Sequence, residues 1–178
     1  MYWVSPDCSS RLNSCPLFSR GTGKRHTSHA VIRTAKKLHI IPTYIYFKTD
    51  DVAIIELNRP FDLSDKFIKT IKVRPLSWSA ESVEVGHGKK FRKKLNDKKE
   101  YALLRTQEAV LVNDECREYW GDDHRPAHMC TSAHKGKLKQ GFFKGDSGGP
   151  LLQVIKTEYY AVAIASFNEP KKWPRCVE

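Results

Sequence analysis

Lys144-Gly145-Asp146-Ser147-Gly148-Gly149-Pro150-Leu151-Leu152 places one serine among glycines immediately ahead of an apolar run. Serine is a weak nucleophile at neutral pH. A protein that uses one holds it on a tight turn, beside a base and beside donors for the charge that develops on the attacked carbonyl. Glycines on both sides remove the Cβ atoms that would keep a substrate away from the backbone. The N–H groups of Gly145 and Ser147 can then converge on one oxygen, and the strand beginning at Pro150 gives the turn a rigid base. The same pattern also suits a phosphate cradle or a plain surface loop.

Outward from this turn, 178 residues with 40% hydrophobic content can bury a core in one or two small domains. The apolar residues come in short runs, none long enough to cross a bilayer. Met1-Tyr2-Trp3-Val4-Ser5-Pro6-Asp7-Cys8 lacks the basic start and apolar middle of a secretory signal, so a signal would lie outside this chain. The net charge of +11 favours encounters with acidic partners, among them nucleic acid, heparin-like glycans and anionic membranes. The densest basic run, Lys89-Lys90-Phe91-Arg92-Lys93-Lys94-Leu95-Asn96-Asp97-Lys98-Lys99, reads first as a solvated loop and second as a polyanion contact. The five cysteines, Cys8, Cys15, Cys116, Cys130 and Cys176, fit neither a CxxC metal pattern nor a dense disulfide framework, and an odd count leaves one over. Cys116, His124, His128 and Cys130 lie close in sequence, but their spacing matches no standard zinc site, so no metal is expected.

Residues 1–29 form an irregular segment rich in Cys and Ser, without periodicity. From residue 30 to 45, short apolar segments are interrupted by Lys36-Lys37 and Pro42. Val52-Ala53-Ile54-Ile55-Glu56-Leu57, bounded by Asp50-Asp51 and Asn58-Arg59-Pro60, predicts a strand, and residues 67–73 a second. Two apolar runs follow at 101–104 and 109–112. Asn113 then opens a short helix with Asp114 and Glu115 in its positive first turn. Strands are expected at 150–155 and 159–164. Many short strands and one short helix describe an all-β protein.

The serine hexapeptide, Gly145 to Pro150, resembles the nucleophile signature of the trypsin and chymotrypsin family. The likeness extends to Thr49-Asp50-Asp51-Val52-Ala53-Ile54-Ile55, similar to that family's aspartate segment and preceding Ser147 in the family's chain order. Gly86-His87-Gly88 stands where the family has a glycine-aromatic-glycine, and Ala165-Ser166-Phe167-Asn168 resembles its substrate-lining strand. The resemblance implies two antiparallel six-stranded β-barrels, the first incomplete and the second lacking its last strand and C-terminal helix. In that frame residues 30–72 are a remnant of the first barrel and 73–178 the second, which carries the nucleophile. It further implies Ser147 and Asp51 as catalytic residues and the N–H groups of Gly145 and Ser147 as the oxyanion site. Gly141, Lys144, Ser166, Phe167 and Asn168 would bind substrate, and Cys116–Cys130 would be a disulfide worth about 3 kcal/mol. The partner is a polypeptide substrate or a protein inhibitor in an extracellular setting, and no cofactor is implied.

The chain departs from that family in several places. No Ala-Ala-His-Cys segment supplies the general base; His26, His29 and His39 precede Asp51 without those neighbours, and His29, followed by Ala30, comes nearest. No Ile-Val-Gly-Gly start is present to pair with Asp146, which is expected to lack a partner. Gly141 stands at the pocket base, and Phe142 and Phe143 are expected near it. Phe143 replaces a cysteine, leaving Cys176 unpaired. The divergent pocket residues resemble those of the atypical trypsin-like peptidases of nematodes. Two accounts fit: a serine endopeptidase with little activity as this chain, or a non-catalytic binding module that uses the basic surface.

Overall fold

The computed structural model describes residues 16–19, 31–45, 49–75, 82–88, 103–111, 113–133, 142, 145–167 and 175–177. Among these residues the protein is nearly all strand, with one α-helix, as expected for an all-β fold. Among the described residues the strands form a three-stranded and a seven-stranded sheet.

The smaller sheet runs in the order β1 (Pro16–Ser19), β2 (Val31–Ile40), β3 (Ala53–Leu57), all antiparallel. The expectation that residues 1–29 are irregular fails at β1, which pairs Pro16 with Thr34 and Ser19 with Val31. Four residues are too few to show a period, and the pairing comes from β2. The Lys36-Lys37 interruption does not break β2. Its register with β3 shifts between Ala35 and Lys37, a bulge that absorbs one residue. Lys36 Nζ then reaches Glu56 Oε1 at 2.6 Å.

The larger sheet follows the order β10 (Arg175–Val177), β7 (Met129–Ala133), β6 (Leu104–Leu111), β5 (Ser82–Gly86), β8 (Pro150–Ile155), β9 (Glu158–Phe167), β4 (Lys72–Val73). β10 also pairs with β9, so the same short strand lies against both. The strand expected over 67–73 contracts to β4. Upstream of it, Asp62 accepts hydrogen bonds from the N–H and hydroxyl of Ser64, and Asp65 accepts one from Phe67 N–H. These local side-chain bonds turn the backbone and compete with a sheet ladder. The two apolar runs expected near residues 101–112 meet in one strand, β6.

Helix α1 (Asn113–Trp120) carries Asp114 and Glu115 in its first turn, where the helix dipole favours them. Cys116 and Trp120, four residues apart and so on one face, are buried against Cys130, with Phe167 packed on the cluster. A second cluster joins Phe142, Leu151, Ala163 and Ala165, flanked by Val110, Met129 and Val162. Phe142 is therefore core, 2% exposed. It anchors the chain three residues ahead of Gly145.

Candidate functional site

The serine turn is shaped by its glycines. Gly145 and Gly148 have φ of 100° and 77°, values that L side chains adopt only at a cost. Gly149 N–H donates to Asp146 O at 2.8 Å and closes the turn around Ser147, which is exposed. The turn is then docked on β9: Gly148 N–H donates to Ala165 O, and Ala165 N–H donates to Gly149 O, both at 2.8 Å.

Asp146 turns back toward the end of β5. Gly88 N–H donates to its Oδ1 at 2.6 Å. A Cβ at Gly86 or at Gly88 would collide with the Asp146 carboxylate, so both positions must stay glycine for the acid to lie there. The expectation that Asp146 lacks a partner is thus corrected. The partner is a backbone N–H, which no side-chain pattern announces.

Asp51 sits just ahead of β3, after an unusual residue. Asp50 has φ of 56°, and its Oδ2 accepts a 2.6 Å hydrogen bond from Thr43 Oγ1. Thr49 Oγ1 donates to Thr43 O at 3.0 Å, which braces the same turn. On the far side of the site, Ser166 Oγ donates to Asp51 Oδ2 at 2.6 Å. Adjacent residues of β9 therefore serve two ends of one constellation: Ala165 holds the serine turn and Ser166 holds Asp51. Sequence reasoning placed Ser166 on a substrate strand and missed its hold on Asp51, because the bond spans 115 positions.

Phe167 follows directly. Its ring meets Trp120 edge-on at 5.1 Å and His128 at 5.2 Å. β10 lies alongside, with Cys176 opposite Phe167 and Val177 opposite Ala165. The other substrate positions read from sequence, Gly141, Lys144 and Asn168, lie outside the described residues, as do Phe143, His26, His29 and the basic run 89–99. His39 is on β2 and exposed, its Nε2 3.5 Å from Glu56 Oε2. Lys36 and His39 together hold the Glu56 carboxyl below its ordinary range. Cys116 and Cys130 form a disulfide between α1 and β7, so neither sulfur is available as a metal ligand.

The Trypsin family model matches residues 13–176 of the chain. A venom protease of Bombus pensylvanicus is 26% identical over 151 residues, which cover 79% of this chain and 58% of that protein. The chain thus spans less than two thirds of that relative's length.

Proposed function

Because the chain belongs to the trypsin family, we propose that the site around Ser147 is built for hydrolysis of peptide bonds through an acyl-enzyme. In this reading Ser147 Oγ attacks the scissile carbonyl carbon while a histidine takes its proton and passes it to the departing amine. Water then cleaves the resulting ester by the same proton relay. Asp51 orients the imidazole and stabilises its charged form. The N–H groups of Gly145 and Ser147 receive the oxyanion. Ser166, Phe167 and the neighbouring backbone receive an extended polypeptide by strand addition. The venom protease relative and the family both support a secreted setting.

One observation carries the reading. Through consecutive residues, β9 bonds the serine turn and Asp51, elements far apart in the chain, into one unit. A glycine-rich phosphate loop or a plain surface turn has no use for the second bond.

The general base decides how active the chain is. Of the described histidines, His39 lies against Glu56, His128 packs on Phe167 with His124 beside it, and His87 stands between Gly86 and Gly88 at the end of β5. The chain by itself is therefore expected to react slowly, since Ser147 needs a base to accept its proton. A fluorophosphonate probe, which labels activated serines, tests this. Faint labelling that Ser147→Ala abolishes is the expected result. Strong labelling that His29→Ala removes would identify His29 as the base and overturn the low-activity expectation. Silence at Ser147 in a folded chain supplied with external imidazole would favour a non-catalytic binder. In that case heparin binding and its loss on Lys93→Ala plus Lys94→Ala become the next measurement.

A further inference from the structure

Thr43 meets both of the residues that lead into Asp51. Its Oγ1 donates to Asp50 Oδ2 at 2.6 Å, and its carbonyl accepts a 3.0 Å hydrogen bond from Thr49 Oγ1. Ile45 and Thr49 exchange backbone hydrogen bonds, 3.1 Å in each direction. Four hydrogen bonds thus tie Thr43 and Ile45 to Thr49 and Asp50.

These bonds lie at the surface, where Thr43 and Ile45 are exposed. Water competes for such groups, so their net contribution to stability is small. Yet they hold a residue in an unfavourable conformation. Asp50 has φ of 56°, in the left-handed region where a Cβ crowds the backbone. Aspartate enters that region more readily than most residues, because its short side chain can hydrogen-bond locally. Here the carboxylate is anchored to a hydroxyl seven positions upstream.

A strained residue persists only where its surroundings hold it, and the effect of this one falls on its neighbour. Turning Asp50 from the left-handed to an ordinary conformation would redirect the peptide that follows it, and with it the side chain of Asp51. Asp51 needs a defined direction, since its Oδ2 receives Ser166 Oγ at 2.6 Å from a strand 115 positions away. The acid is therefore held twice, by Ser166 at its carboxylate and by the Thr43–Asp50 tether at its backbone.

We propose that Thr43 and Asp50 are positioning residues for Asp51, setting the direction in which its carboxylate meets Ser166 and the imidazole. The proposal rests on the reading of Asp51 as the acid that orients the general base. Each position has its own requirement. Position 43 needs a hydroxyl donor, which serine or threonine supplies. Position 50 needs both tolerance of positive φ and an acceptor, which aspartate and asparagine combine. Glycine there supplies the first alone, and the negative charge is not required.

The experiment uses the full chain, a fluorophosphonate probe and imidazole supplied from solution. The imidazole concentration that gives half-maximal labelling of Ser147 reports how well Asp51 is placed to hold the ring. Thr43→Val and Asp50→Gly should each raise that concentration about tenfold or more, as displacement of a catalytic group by about 1 Å does. Thr43→Ser and Asp50→Asn keep the donor and the acceptor and should stay near the parental value. A parental value for Thr43→Val overturns the proposal, as does a fall in labelling that is equal with and without imidazole. A loss in Asp50→Asn as large as that in Asp50→Gly also overturns it, because charge rather than the tether would then matter.

Urea unfolding supplies a second reading that needs neither probe nor imidazole. Ser166→Ala lowers the midpoint of the parent chain. In a Thr43→Val background that shift should shrink by about half or more, because Asp51 no longer faces the Ser166 hydroxyl. Equal shifts in the two backgrounds overturn the proposal. Absence of imidazole-supported labelling in the parent chain would sink the catalytic reading of Asp51 alone, and the unfolding shifts then decide whether Thr43 and Asp50 position it.

Discussion

Ser166 Oγ donates a 2.6 Å hydrogen bond to Asp51 Oδ2, joining the larger sheet to the segment that leads into β3 of the smaller one. The acceptor is a carboxylate and both residues are at least partly buried, so the bond counts among the stronger kind.

Ser166→Ala should therefore destabilise the protein by about 1.5 kcal/mol, the lower end for a bond to a charged group, because Asp51 retains some access to water. Urea unfolding should show a lower midpoint with an unchanged slope. In a double-mutant cycle with Asp51→Asn, the two effects should fall short of their sum. Strict additivity would mean that the two side chains do not interact in solution.

Asp146 lies where Gly86 and Gly88 leave room for it. Gly88→Ala should cost about 1–3 kcal/mol, the usual range for forcing an extra carbon into a packed site. It should also weaken fluorophosphonate labelling, since Asp146 and Gly145 belong to the same turn. Adding Asp146→Ala should remove much of the collision, leaving the double variant more stable than the two single losses predict. A Gly88→Ala protein with parental stability would show that Asp146 does not occupy this cradle.

The Cys116–Cys130 bond closes a loop with a sequence separation of 14. Replacing both cysteines with serine should lower the unfolding free energy by about 3 kcal/mol. Peptide mapping after alkylation without reduction should recover Cys116 linked to Cys130 and Cys176 alkylated, because Phe143 stands where resemblance to the family places its partner. A linkage between Cys176 and any other cysteine would contradict this.

The β8–β9 hairpin turns through Lys156 and Thr157, with φ of 47° and 70°. Two-residue hairpin loops of this hand favour Asn-Gly, and a β-branched residue with positive φ is strained. Lys156→Asn with Thr157→Gly should stabilise the protein by about 1 kcal/mol, or about 2–4 °C in Tm by differential scanning calorimetry. No gain would mean that the turn relaxes in solution.

Much of the fold was legible where residues act on their neighbours. A β-branched run announced β3, short apolar runs announced β8 and β9, and Asn113 with the acidic first turn announced α1. Strand β1 escaped notice because four residues carry no period. Residues 67–73 misled because an apolar alternation was outweighed by the local hydrogen bonds of Asp62 and Asp65. Lys36-Lys37 looked like an interruption because a bulge, which accommodates an extra residue, depends on the register of the partner strand.

By itself, the sequence determined the serine turn. Glycine adopts the positive φ at positions 145 and 148 without the steric cost that a side chain would bring, and only a few residue types can attack a carbonyl. Tertiary structure alone decided that Ser166 grips Asp51, that the backbone of Gly88 holds Asp146, and that His124 and His128 are buried, with His128 against Phe167. The reason is physical. A hydrogen bond between residues 115 positions apart leaves no trace in the neighbourhood of either residue. A backbone N–H is the same in every residue but proline. And a histidine is a surface base or a buried, neutral packing group according to what the rest of the chain lays over it.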